Sequence, residues 1–322
     1  MRWVWRVAVL LTLVFMGLAG LGAAYERVES RRDLTAAPPP GRMIDVGGHR
    51  LHVWCVGQGK PVVVFDSGLG GTSFDWYPVL LGVAGFTTAC AYDRAGMGYS
   101  DIGPSPRTSR RIAGELAELV RRSETKLPII LVGWSDGGLY ARQYASEHES
   151  QIAGLVLVDS AHEDQAAKFA EAGFPTDLPA WGRFVSAAAA VGVMRLAGRP
   201  LGPQPQTEPE AVRRFVQATV YRPGRYDVMY DEGSHFSQTA DEVRASRRVL
   251  SVPVVVLSSG RSPIPHITAP LQRDLLQLSA RSCQIVAADS DHMILSRAPE
   301  AVVRATRVAI DAWRTESEPH CD

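Results

Sequence analysis

"PIILVGWSDGGLYARQYASEH", residues 128–148, is the stretch whose reading decides the fold. Its first part is a continuous apolar run of strand length, its last part reads as a helix, and Gly133-x-Ser135-x-Gly137 joins the two. A strand that turns at once into a helix can hold a serine out at the edge of a sheet, because side chains at 133 and 137 would clash in so sharp a turn. A serine hydroxyl is a poor nucleophile at neutral pH, so its presentation matters. The first amides of the following helix and the helix dipole favour an anion at that point. Asp136 follows directly, a carboxylate beside a group where negative charge must accumulate.

Outward from this unit, short apolar runs alternate with helical patterns. "RMIDVGGHRLHVWCVG" reads as a hairpin with a Gly-Gly turn, "PVVVFDSG" and "TTACAYDR" as further strands, and "RRIAGELAELVRRS" as a helix with Ile112, Leu116, Leu119 and Val120 on one face. "IAGLVLVD" is the strand after the serine helix. Strands apolar enough to be covered on both faces, alternating with helices, predict an α/β domain with a mostly parallel sheet flanked by helices. The alternation stops over 160–250, where helical stretches are broken by "RPLGPQPQTEP", and resumes with "VPVVVLSSG", "CQIVAA" and a last helix "PEAVVRATRVAIDAWR". The expected organisation is a core over 42–159 and 251–314, a helical cap over 160–250 inserted between two late strands, and a short tail, 315–322.

The N-terminus differs in character. Val4 to Ala24 is apolar except for Arg6, and the uninterrupted run from Val7 is nearer the roughly 20 residues of a membrane-spanning helix than the about 7 to 15 of a secretory signal core. Residues 1–24 are therefore expected to be an uncleaved anchor, with a removed signal sequence as the alternative, and the remainder to lie outside the cytoplasm. The charged, then proline-rich stretch 25–41 reads as a linker. With 34 basic against 34 acidic residues in 322, nothing attracts polyanions, and nucleic acid is not an expected partner. Cys55, Cys90, Cys283 and Cys321 show no metal-ligand spacing. Cys55 and Cys90 could pair if their strands are neighbours, but buried thiols are the preferred reading.

Taken together, "VVVFDSGLGGTSFDW", "AYDRAGMGYSD", "LVGWSDGGLYARQYA", "AGLVLVDSAHED" and "SDHMI" resemble the α/β-hydrolase fold family, and more narrowly its bacterial membrane-anchored or exported members with a helical cap. The resemblance covers about Pro40 to Trp313. It implies Ser135 as nucleophile and an oxyanion hole formed by the amides of Leu69 and Asp136, with Gly68 in the stretch "DSGLGG", where Ser67 stands in place of the family's frequent histidine. His292 is the candidate base, since it follows the last predicted strand. The loop after "VPVVVLSSG", the family's usual place for the acid, contains no carboxylate. Asp159, at the tip of the preceding strand, is the preferred acid and Asp274 the next. Arg94 reads as structural.

The motif "GWSDGG" is similar to that of valacyclovirase-like hydrolases, which favour amino-acid esters. Asp136 is then either a recognition group for an amine-bearing substrate or a carboxylate neutralised by a nearby arginine or by solvent. The expected activity is serine hydrolysis of a small-molecule carboxylic ester through an acyl-enzyme, with no metal or organic cofactor. An aminopeptidase or amide hydrolase, or a ligand-binding protein without chemistry, is the alternative.

Overall fold

A computed structural model describes residues 1–123, 125–174, 182–201 and 208–321. Eight strands, β1 (Arg42–Asp45), β2 (Arg50–Val56), β3 (Val62–Asp66), β4 (Ala89–Tyr92), β5 (Ile129–Trp134), β6 (Ile152–Val158), β7 (Val254–Ser259) and β8 (Ser282–Ala287), form one sheet in the order β1-β2-β4-β3-β5-β6-β7-β8. The first two make the predicted hairpin, in which Gly47 and Gly48 sit at φ 107° and 108° while the Asp45 carboxylate accepts both of their amides. From β4 to β8 every neighbouring pair is parallel. Leaving β3, the chain first adds β4 on one side and then β5 on the other, so the loops after β3 and β5 open at a topological switch point, where such sheets form their sites.

Burial on both faces explains the unbroken apolar strands. One face packs Leu131, Leu155 and Val256 against α3 (Ser109–Arg122) and α4 (Asp136–Glu147). The other packs Ile130, Val156 and Val255 with α2 (Tyr77–Ala84) and α13 (Pro299–Thr315). Helices α11 (Pro265–Asp274) and α12 (Ile294–Arg297) complete the core.

Between β6 and β7 the described residues are helical: α5 (Gln165–Glu171), α6 (Gly182–Ala190), α7 (Val193–Leu196), α8 (Glu210–Val220), α9 (Pro223–Ser234) and α10 (Phe236–Ser246). Part of "RPLGPQPQTEP" lies outside the described residues. The cap is strapped to core loops by polar contacts. Asp231 accepts from the Ser105 hydroxyl and the Arg107 amide, each at 3.0 Å, and Arg222 donates to the carbonyls of Gly98 and Ser100.

Two features differ from the sequence expectation. The stretch after the apolar run is helix, not linker: α1 runs Arg2–Ala36 and ends only before Pro38. Its residues are compatible with helix throughout, Ser30 donates to Glu26 one turn back, and Arg195 of α7 pairs with Glu26 at 2.9 Å and Asp33 at 2.5 Å. That cross-link docks the second half of α1 on the cap. The cysteines, expected as thiols, form two disulfides, Cys55–Cys90 and Cys283–Cys321. Cys55 and Cys90 face each other directly in the β2–β4 register, a non-local fact that the chain order hides. Replacing both Cys55 and Cys90 by alanine is expected to lower the unfolding free energy by about 2–4 kcal/mol, read as a shifted urea midpoint.

Candidate active site

The turn between β5 and α4 is held from both sides. The Ser135 amide donates to Val158 O (3.1 Å), and its carbonyl accepts from Gly138 and Ala161 (both 2.9 Å). Gly137 is obligatory, since a Cβ there would stand 2.3 Å from the carbonyl oxygen of Asp66. Ser135 is forced to φ 55°, and Asp159, at the end of β6, to φ 39°. Only one other described non-glycine residue, Glu316, has positive φ. Backbone strain of this kind persists where surrounding structure fixes a side chain in place, and here it aims two side chains at one point.

That point is His292, on the loop after β8. Its Nε2 lies 3.0 Å from Ser135 Oγ and its Nδ1 2.7 Å from Asp159 Oδ2. The other carboxylate oxygen of Asp159 accepts from the Ser259 amide (2.9 Å) and hydroxyl (3.0 Å). Burial opposes the charge of Asp159, yet the hydrogen bonds from His292 and Ser259 outweigh it and hold the carboxyl below its ordinary range. Trp134 donates its indole N–H to the carbonyl of His292 (3.0 Å) and lies against the imidazole, fixing the loop. Asp274 lies elsewhere: it accepts from His162 Nε2 (2.9 Å) and pairs with Arg247 (2.6 Å).

The loop after β3 closes on the serine from the other side. A Cβ at Gly68 would be 2.9 Å from Ser135 Cβ, so only glycine allows this approach. Ser67 takes up buried contacts: its hydroxyl donates to Thr72 O and accepts from the Trp76 indole N–H. Arg94 holds the loop by its backbone, donating to the carbonyls of Ser67 and Gly68 (2.5 and 2.8 Å). In a trans peptide the N–H points opposite to the C=O, so anchoring the Gly68 carbonyl turns the Leu69 amide away from Arg94.

All five Arg94 N–H groups are used. The remaining bonds go to Asp66 at the end of β3 (2.8 Å) and, bidentate, to Glu232 of cap helix α9 (2.9 and 3.0 Å). The guanidinium is 2% exposed; burial disfavours its charge, but Glu232 and Asp66 keep it firmly protonated. Glu232 lies far along the chain in the cap, and no sequence pattern marked it.

Asp136 is different. Among the described residues its carboxylate has no hydrogen-bond or ion-pair partner, although it is nearly buried. Burial and the nearby charge of Glu232 raise its pKa to about 6, against the opposing pull of Arg94 and His292. The nearby arginine, Arg94, is engaged with Asp66 and Glu232.

This arrangement sits in a chain that belongs to the alpha/beta hydrolase family, whose model matches residues 63–305. Among solved structures it is similar to Cfl2 from Burkholderia cenocepacia, with a TM-score of 0.65 and 20% identity over 83% of this chain and 94% of that one. A thermophilic esterase from Thermogutta terrifontis matches with a TM-score of 0.61 and 21% identity over 86% and 98%. These likenesses establish the fold. A curated relative, the probable transporter efuK of Hormonema carpetanum, is 33% identical over 38% of this chain and 18% of its own length. The chain spans at most about half the length of the curated relatives it matches.

Because Arg94 joins β3, the loop after it and the cap, Arg94→Met strands two buried carboxylates. It is expected to destabilise the protein by about 3–5 kcal/mol in urea titration.

Proposed function

We propose that this protein is a serine hydrolase that cleaves carboxylic esters of small molecules through an acyl-enzyme. The observation that carries the reading is the position of His292, within hydrogen-bond reach of both Ser135 and Asp159. His292 Nε2 takes the Ser135 proton as Oγ attacks the acyl carbonyl. Asp159 accepts the Nδ1 proton, fixing the tautomer and stabilising the imidazolium. The amides of Leu69 and of Asp136, the first residue of α4, donate to the tetrahedral oxyanion, and the helix dipole adds to them. The imidazolium returns its proton to the leaving alcohol, and water, activated by the same histidine, then releases the acid. Aspartate is the nucleophile in the dehalogenase and epoxide-hydrolase branches of this fold, so Ser135 points away from those chemistries.

A fluorophosphonate probe tests this directly: wild type is expected to be labelled and Ser135→Ala not, whereas folded wild type that resists labelling would leave a ligand-binding role. Asp159→Asn should be labelled far more slowly and lose kcat by about 10³–10⁴-fold, since the amide favours the wrong tautomer.

The unpartnered Asp136 carboxylate supports a narrower preference, for esters carrying an amine near the acyl carbon. An anion this close to a forming oxyanion hinders it unless a cation intervenes, and a substrate ammonium supplies one. A charge pair about 5 Å apart at an effective dielectric of about 20 is worth about 3 kcal/mol, which bounds the selectivity at roughly 100-fold. The sign of the pH dependence follows from the raised pKa. Below about 6 Asp136 is protonated and the preference is lost; above it the carboxylate is charged and the preference appears. The ratio of kcat/KM for a cationic ester to that for its neutral isostere should therefore climb about 10- to 100-fold as pH rises through 6. Titration of the base cancels in that ratio. In Asp136→Asn the ratio should stay flat, and an equally steep climb there would remove Asp136 from substrate recognition.

The N-terminal part of α1 is read as a membrane anchor that holds the hydrolase domain outside the cytoplasm. None of its most apolar window is buried, and the mean hydropathy there is 2.3. The core and the inserted cap then form the extracytoplasmic unit.

A further inference from the structure

The cap segment "FVSAAAAVGVMRLAG", residues 184–198, is predominantly apolar. Its one charge, Arg195, is turned inward onto Glu26 and Asp33 of α1, with its guanidinium over the Tyr221 ring. What faces outward is apolar: Phe184 is 73% exposed, Leu196 69% and Val193 48%, and Ala187, next to Phe184 on α6, is exposed too. A contiguous exposed apolar face marks an interaction surface.

The position of α1 identifies what covers it. Trp3 and Trp5 are exposed at one end of the apolar run, and Tyr25 at the other. The twenty helical steps from Trp5 to Tyr25 rise about 30 Å, the thickness of a bilayer's hydrocarbon core, with interfacial aromatics at both boundaries. The turn between α6 and α7 meets α1 at the second boundary. A Cβ at Gly22 would stand 2.3 Å from Val191 O, and one at Gly192 would stand 3.2 Å from Tyr25 Cδ1. The turn that joins the two helices carrying these exposed residues therefore lies against the end of the apolar run. Arg27 and Arg31, exposed just beyond, suit lipid phosphates.

We propose that the outward face of α6 and α7, formed by Phe184, Val193 and Leu196, is a membrane-contact surface seated in the headgroup and acyl boundary of the bilayer that α1 spans. The proposal rests on the anchor reading of α1. The docked half of α1 fixes the depth of the cap, and the apolar face adds a second point of attachment, so the cap lies on the bilayer rather than swinging on a tether.

The full-length chain, reconstituted in vesicles of phosphatidylcholine and phosphatidylglycerol, tests it with an environment-sensitive fluorophore on single introduced thiols; the four native cysteines are paired and do not compete. Phe15→Cys reports the anchor, Leu196→Cys and Phe184→Cys the cap face, and Val249→Cys a remote exposed position. Fluorophosphonate labelling of Ser135 checks that each variant is folded. Probes at 184 and 196 are expected to shift to the blue and to lose emission to lipids quenched high on the acyl chain, while the probe at 249 does neither. Probes at 184 and 196 that behave as the one at 249, with the probe at 15 quenched, overturn the cap surface and leave the anchor. Failure of quenching at 15 overturns the anchor, and the cap surface with it. A blue-shifted probe at 196 that lipid quenchers do not reach assigns the face to a second copy of the chain and also overturns the proposal.

Discussion

A guanidinium with no water around it must find an acceptor for every N–H or leave the fold destabilised, and Arg94 meets that constraint by drawing three separate parts of the chain to itself. Asp66 ends β3, the carbonyls of Ser67 and Gly68 form the loop facing Ser135, and Glu232 belongs to the cap. Each is where it is partly because Arg94 is there. Through the bidentate contact with Glu232, the docking of the cap and the position of the loop after β3 depend on one side chain. A small loss of cap docking is thus felt at the loop that presents the Leu69 amide.

The same cluster sets the electrostatics of the site. Three buried carboxylates, Asp66, Asp136 and Glu232, surround one arginine, and the arginine bonds to only two of them. The remaining charge falls on Asp136, whose carboxyl burial and Glu232 push up to about 6. A site for a neutral ester would gain from removing that charge. A carboxylate without a partner beside Ser135 is the physical basis of the proposed preference for cations.

The N-terminal helix and the cap form a second coupled unit. Leu34 packs beside the aromatic cluster of Phe74, Tyr99 and Phe215, and the Tyr99 hydroxyl donates to the carbonyl of Ala37. Through the Arg195 pairs, α1 is built into the cap instead of trailing from it. The positions of α1 and of the cap are therefore mechanically linked.

The strand, the Gly133-x-Ser135-x-Gly137 turn and the helix after it are legible in the sequence because they are local: apolar run, missing Cβ atoms and helical pattern are neighbours in the chain. Strand alternation likewise determined a parallel sheet, since only covered strands are apolar throughout. His292 stood out because it follows the last strand, and sheet ends are where loops converge. Which carboxylate faces it was decided by tertiary structure. In the chain Asp159 is preferred over Asp274, but only the sheet order makes the meeting: β7 lies between β6 and β8, which brings Ser259 and the His292 loop to Asp159, while the contacts of Asp274 run to His162 and Arg247. The Cys55–Cys90 pairing depends on the register of β2 against β4, the partnership of Arg94 with Glu232 on cap docking, and the helical continuation of α1 to Ala36 on the fit of Arg195. Each joins residues whose separation along the chain carries no information about their separation in space. Local pattern determines elements, and the packing of those elements decides which distant charges meet.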